Sequence, residues 1–189
     1  MEVTTAIAER RSVRRFSDRS VDPRELGRLV EAAACAPSGS NVQAWHFVVV
    51  AGRDRLTALK SVSPGIFALP PAMIAICVDR GRAMARGGAG GSLLGLMDAC
   101  FAAQNILLAA HARGLGTCVI RSFHQAAVGK LLQCPPEVVP EILVTVGYPE
   151  GPLPRGPRRR SWAEIAHLER HGGDPSALGL EGGEAVDPG

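Results

Sequence analysis

Apolar residues along this chain follow two different periods. Continuous apolar runs at Phe47–Val50, Ala72–Val78, Gly114–Ile120 and Glu141–Val146 read as buried strands, because β-branched and aromatic residues follow one another with little polar interruption. Between them the apolar positions recur at helical spacing. Residues 3 to 10 carry Val3, Ala6 and Ile7 on one side, and the segment after Asp22 carries Leu26, Leu29, Val30 and Ala33. Asp54–Lys60 is a shorter helical stretch. Ser92–Arg113 is the longest, with Leu93, Leu96, Met97, Cys100, Phe101, Gln104, Leu107, Leu108 and His111 recurring near helical spacing. Its many alanines permit close packing on another helix. A further helix carries Val128, Leu131 and Leu132. Strands alternating with helices predict an α/β or α+β domain.

The ends of these elements are marked by local chemistry. Asp22-Pro23-Arg24-Glu25 is a helix start: Asp22 can cap, Pro23 suits the first helical position, and Glu25 completes a capping-box-like pattern. Pro37 ends that helix and Gly114 ends the long one. Ser122 with Gln125, and Ser161 with Glu164, are two further expected caps. Ser63-Pro64-Gly65 and Pro70-Pro71 frame a loop. Residues 80–91 are rich in Gly and Arg and are expected to form a mobile connection. They have neither the Lys-Ser/Thr ending of a phosphate loop nor GxGxxG spacing. The domain is expected over residues 1–172, with a poorly ordered tail over 173–189.

Composition adds bounds. The chain has 189 residues, 46% hydrophobic and 21% charged, ordinary for a soluble globular protein. No apolar run is expected to span a membrane, and the N-terminus lacks the apolar core and cleavage site of a secretory signal. Five scattered cysteines without metal-ligand spacing point to reduced thiols in a cytoplasmic protein. A net charge of +3 with only 4% aromatics gives no support to nucleic-acid binding. The arginines are nonetheless clustered, at Arg10, Arg11, Arg14 and Arg15 and again at Arg155, Arg158, Arg159 and Arg160.

Two stretches carry candidate chemistry. RRSVRRF (Arg10–Phe16) offers forked guanidinium donors and the Ser12 hydroxyl, which suit a phosphate as well as they suit a solvated basic turn. APSGSNVQAWHFVVV (36–50) holds Ser38, Ser40, Asn41 and Gln43 between a helix and a strand. That arrangement suits a polar heterocycle, and equally a plain connection rich in turn residues. His111, near a helix end, is read as interacting with the helix dipole. No Ser-His-Asp set or carboxylate pair stands out.

RRSVRRF, APSGSNVQAWHFVVV and DACFAAQNILLAAHARGLGTCVIRSF together resemble the FMN-dependent nitroreductase family, with PRRRSWAEIAHLERHG a looser match to its closing segment. The resemblance spans about residues 5–172. It implies an α+β fold with a mixed central sheet flanked by helices, a homodimer joined through long helices, and FMN sites at the subunit interface. By position in the motifs, Arg10, Arg11, Ser12 and Arg14 are implied to engage the flavin phosphate, ribityl chain or pyrimidine edge. Pro37, Ser38, Gly39, Ser40 and Asn41 are implied to approach from the partner subunit, with Gln43 in the same loop. Arg158 and Arg160 are implied to meet the phosphate. Ile120 and Arg121 fall where the backbone passes flavin N5. The family commonly has glycine there, so Arg121-Ser122 is a departure that could narrow or recharge the substrate pocket.

The activity so implied is hydride transfer from NAD(P)H through flavin N5 to a nitroaromatic, quinone or similar acceptor, by a ping-pong cycle. The isoalloxazine would carry the chemistry, which accounts for the lack of a catalytic triad. Two other readings stay open. One is an oxygen-dependent flavin oxidase of the cyclic-dipeptide-oxidase type, working with a small partner protein. The other is a non-catalytic flavin-binding subunit whose pocket Arg121 blocks.

Overall fold

A computed structural model describes residues 1–156 and 158–179. They fall into two compact units, divided between Leu153 and Pro154.

In the first unit the sheet has four strands: β1 (Trp45–Val50), β2 (Ala72–Asp79), β3 (Gly116–Ile120) and β4 (Val138–Gly147). Their order is β1-β2-β4-β3 and every pairing is antiparallel. The expected mixed sheet is corrected here. Among the described residues the parallel pairing is a lone bridge, Ser12 to Thr117.

Strand β2 shows why these residues choose a buried sheet. Ala72, Ile74, Ile76 and Val78 face one core, and Met73, Ala75 and Cys77 face another, the two-residue alternation of a strand covered on both sides. The first core is completed by helices α2 (Pro23–Ala34) and α5 (Gly91–Ala112), the second by α3 (Arg53–Ser61) and α6 (Gln125–Leu131). Leu29, Leu59, Ile74 and Leu143 are fully buried, each contributing about 1.5–3 kcal/mol by removal from water.

Helix α2 starts as its sequence dictates: Asp22 accepts from Arg24 N–H at 2.7 Å. Glu25 does not close a capping box, however. Its carboxylate pairs with Arg28 at 2.6 Å and Arg113 at 3.1 Å, and those charge-assisted bonds draw it from the cap. For α6 the cap is His124, whose Nδ1 accepts from Ala127 N–H at 3.3 Å, two residues beyond the expected Ser122.

Residues 80–91 are not a loop. They form α4 (Arg80–Gly87) and a short 3-10 turn at Gly88–Gly90 that leads into α5. Asp79 caps α4 by accepting from Arg82 N–H at 2.8 Å, and Ala83 is buried. Glycine here is a packing choice, because a Cβ at Gly91 would collide with the Ala83 carbonyl. Arg80–Ala112 is also the one stretch among the described residues long and apolar enough to cross a membrane by length and composition, contrary to expectation. Its inner face lies in the protein core, and the buried Asp98 interrupts it.

Within α5 the small residues go inside. Gly91, Gly95, Ala99, Ala102, Ala103 and Ala110 are buried, whereas Leu93 is 64%, Met97 44% and Phe101 45% exposed. A Cβ on Gly95 would lie 2.7 Å from Val78 Cγ1, so the helix sits on the sheet too closely for larger side chains. Helix α1 (Val3–Glu9) behaves similarly, burying Ala6 and leaving Val3 and Ile7 exposed.

The second unit contains α7 (Trp162–Ile165), whose Ser161/Glu164 capping box forms as expected. Within the expected tail, Asp174 caps a 3-10 turn over Pro175–Leu178 by accepting from Ser176 N–H at 2.9 Å. The rest of the tail, 180–189, lies outside the described residues.

Candidate functional site

The basic N-terminal segment is an extended arm along the outer edge of β3. Val13 N–H donates to the Thr117 carbonyl at 2.9 Å. Val13 itself is buried against Gly116, where a Cβ would come within 2.7 Å of the valine side chain. Extended backbone alternates its side chains, so Arg10, Ser12 and Arg14 share the side opposite Val13. Burial pushes the Cys118 thiol up from its ordinary range, while the guanidinium charges of Arg14 and Arg10 pull it down. Both arginines therefore act on one spot beside β3. Arg11 goes elsewhere: its Nη1 donates to the Ala8 carbonyl at 2.6 Å and the Arg10 carbonyl at 3.1 Å, closing the end of α1. Arg15 pairs with Glu150 at 2.9 Å.

The second candidate segment is tightly folded. Ser40, Asn41 and Gln43 all have positive φ, at 49°, 53° and 50°, a conformation that is uncommon for residues with a Cβ and clusters at functional sites. Three supports hold it. Gly39 N–H donates to Asp98 Oδ1 at 3.1 Å, Gln43 N–H donates to Ser38 Oγ at 3.1 Å, and Gln43 Nε2 donates to Asn41 Oδ1 at 2.9 Å. A fourth comes from α4, where Arg82 Nε donates to the Val42 carbonyl at 2.7 Å. Pro37, Ser40, Asn41 and Gln43 stay exposed, and Ser38 and Gly39 are half-buried. The result is a rigid rim presenting short polar side chains outward. Gly39, Ser40 and Asp98 also line a narrow cleft with Ala83, Gly87 and Leu94.

One chain does not bring these two segments together. The loop feeds β1 at one edge of the sheet, while the arm lies beyond β3 at the other edge. Three inter-strand steps separate β1 from β3 and a fourth reaches the arm, about 19 Å at the usual strand spacing. Within one chain the sheet stands between the two segments. A groove of the first unit lined by Val49–Arg55, Ala58 and Leu131 is at the far end of β1 and contains none of these residues.

Ile120 is buried at the end of β3 and Arg121 follows it, exposed. Arg121 Nη2 meets Glu141 Oε2 at 3.2 Å, and Arg80 Nη2 meets Glu141 Oε1 at 3.1 Å. Gln125 Nε2 donates to Glu141 Oε2 as well, at 3.2 Å. Glu141 is the extra residue of a β-bulge, since Ile76 pairs with Ile142 and Cys77 with Pro140. The bulge turns a buried carboxylate toward the end of β3. Arg121 is thus anchored to one side. Sequence reasoning took Glu141 for strand filler and overlooked Asp98 and Arg82. A lone acid in an apolar run was the available signal for Glu141 and Asp98, because buried charge needs partners.

In the second unit Arg158 and Arg160 are exposed. Arg160 Nη2 donates to the Glu164 carbonyl at 3.0 Å, holding it against the start of α7.

The sequence model of the Nitroreductase family matches residues 7–148. A Methanothermobacter thermautotrophicus protein, provisionally named an NADH dehydrogenase/NAD(P)H nitroreductase, is 32% identical over 177 residues, covering 90% of this chain and 88% of its own. An FMN reductase (NADPH) from Bacillus subtilis is 29% identical over 178 residues, covering 84% and 71%. Among solved structures, the NfrA1 nitroreductase of B. subtilis superposes with a TM-score of 0.81 at 26% identity, covering 90% of this chain and 75% of that one.

Proposed function

From the premise that the chain belongs to the nitroreductase family, we propose that it is an FMN-dependent NAD(P)H oxidoreductase built as a homodimer with its sites between the subunits. The observation that carries this reading is the placement of Arg10, Ser12 and Arg14 on one side of the arm beside β3. The charges of Arg14 and Arg10 both bear on Cys118 and Ser12 bridges to the neighbouring Thr117, so this segment offers guanidinium and hydroxyl donors of the kind a flavin phosphate and ribityl chain require. The similarity to the B. subtilis FMN reductase (NADPH) supports the same cofactor and reductant.

The arm of one subunit holds the anionic end of the cofactor. The partner's loop at Pro37–Asn41, stiffened by its supports, walls the ring, and Gln43 braces Asn41 from within. Arg11 fixes the arm by closing α1. Ile120 and Arg121 border the ring at the end of β3, with Arg121 drawn toward Glu141 so that the pocket stays open. FMN held there would supply the redox chemistry of hydride transfer from NAD(P)H to a nitroaromatic, quinone or similar acceptor, by the ping-pong cycle we propose.

The dimer is supported by the outer face of α5. Leu93, Met97 and Phe101, joined by Val3 and Ile7 on α1, present large apolar side chains to solvent in one subunit, an exposure that calls for a covering surface. The test is purification without added flavin, a visible spectrum, and anaerobic titration with NADH and NADPH. A yellow protein bleached by either nucleotide and recoloured by a quinone is the expected result. FMN and riboflavin affinities are then compared in wild type and Arg14→Ala. Loss confined to FMN supports the phosphate role, and equal loss of both ligands contradicts it.

A further inference from the structure

Five cysteines are present, none in a disulfide. Cys77 and Cys134 lie 57 positions apart in sequence, yet their sulfurs are 3.9 Å apart, essentially van der Waals contact. Cys77 is on β2, fully buried, next to the Glu141 bulge. Cys134 follows the end of α6, in the turn where Gln133 takes a φ of 55° and Cys134 N–H donates to the Gly129 carbonyl at 2.9 Å. It is partly buried against the same core, whereas Cys77 is fully buried, so Cys134 is the less enclosed thiol of the pair.

We propose that Cys77 and Cys134 are a modification site, a thiol pair that a hydroperoxide converts to a disulfide joining β2 to the turn after α6. The two sulfurs must close from 3.9 Å to about 2.0 Å. The turn at Gln133–Cys134 is outside both α6 and β4, so it can take up that movement while β2 stays in register.

The asymmetry of burial sets the order of events. Cys134, the accessible thiol, attacks the peroxide: an S–O bond forms, the O–O bond breaks, and the first water leaves, giving a sulfenic acid. Cys77 then attacks that sulfur, the S–O bond breaks, and the second water leaves with the Cys77 proton. Two thiols are oxidised by two electrons and one hydroperoxide is reduced to water, or to an alcohol and water. Burial, with the charges of Cys134 and Glu141, pushes the Cys77 thiol far up from its ordinary range. Cys77 is fully buried, so a dissolved oxidant does not reach it and the sulfur it meets is that of Cys134 beside it. Cys35 and Cys100, both exposed, serve as internal controls for non-selective oxidation.

The test uses the purified full chain, treated with hydrogen peroxide, blocked with an alkylating reagent under denaturing conditions, digested and mapped by mass. The expected result is one cross-linked peptide pair carrying Cys77 and Cys134, lighter by the mass of two hydrogens and separated again by dithiothreitol. Cys134→Ser abolishes the link and leaves Cys77 fully alkylated, whereas Cys35→Ser leaves the link in place. A link made through other cysteines would overturn the proposal. So would Cys134 oxidised further with Cys77 still free, or five free thiols after treatment. Mapping of the unsubstituted chain decides the matter even if a variant fails to fold.

Discussion

The carboxylate of Asp98, buried in α5, accepts a hydrogen bond from Gly39 N–H at 3.1 Å. It ties the longest helix to the strained loop at the edge of the sheet. Removing it in Asp98→Ala leaves the Gly39 donor unsatisfied beside a cavity, at a cost of about 1–3 kcal/mol. We expect a lower melting temperature together with weaker flavin retention. Asp98→Asn keeps an acceptor oxygen and falls between the two. Equal flavin affinity in all three proteins would show that the loop does not depend on this anchor.

Gly116 holds the arm in place from the other edge. A Cβ there would come within 2.7 Å of Val13, and both positions are buried. Gly116→Ala is expected to cost about 1–3 kcal/mol through overpacking and to push the Ser12 bridge away from Thr117. Protein thermal melting and FMN titration should fall together. A variant that melts early but binds FMN as wild type would separate the arm from the site.

Stability should decline in alkaline solution. Burial raises the Cys118 thiol, with Arg14 and Arg10 opposing, and raises Cys77 further, both from an ordinary value of 9.0. In that range the unfolded chain loses its thiol protons while the folded chain keeps them, so the unfolded state binds fewer protons and unfolding becomes easier as pH rises. Their contribution is whole below pH 9.0 and is lost above it as the unfolded thiols ionise. Urea unfolding at neutral pH and at about one to two units above the ordinary thiol value should show the loss, and Cys118→Ala should show less of it. A variant with undiminished pH dependence would clear Cys118 of any part in it.

The apolar face of α5 gives a prediction about assembly. Met97→Glu with Phe101→Glu places charges on a face already exposed in the single subunit, where Phe101 is 45% accessible. The fold should survive while sedimentation reports a monomer that has lost its flavin. A dimer that persists would place the interface elsewhere.

The sequence marked helix starts and buried strands well where a local rule acts alone. Asp22 before Pro23 dictates a cap by itself, and the β2 run has a single stable arrangement, covered on both faces. It misled where tertiary packing decided. The large side chains of α5 fitted a core helix and a subunit-interface helix equally well, and the structure divides them, because the sheet needs glycine and alanine at Gly95 and Ala102 to approach closely, so Leu93 and Phe101 face outward while Leu107 is buried. Residues 80–91 looked like a linker by composition, yet Asp79 caps them and Gly91 fits beneath the Ala83 carbonyl. The candidate site was visible as motifs and not as a place. Ser12 and Ser40 lie at opposite edges of one sheet, and periodicity along a chain carries no information about where in space two such motifs fall. Glu141 was hidden for a related reason, because its bulge depends on pairing with β2.

The central claim is that the arm of one subunit and the loop of the other enclose each flavin. An arm variant, Arg10→Ala with Arg14→Ala, and a loop variant, Ser40→Pro, which cannot hold a φ of 49°, should each fail to retain FMN as homodimers. When the two are co-expressed and the heterodimer is isolated, one of its sites combines two intact segments and the other combines two damaged ones. FMN counted per heterodimer after gel filtration should be a single tightly held molecule. A heterodimer that holds no FMN would mean that each site draws both segments from the same chain, and the account would be contradicted.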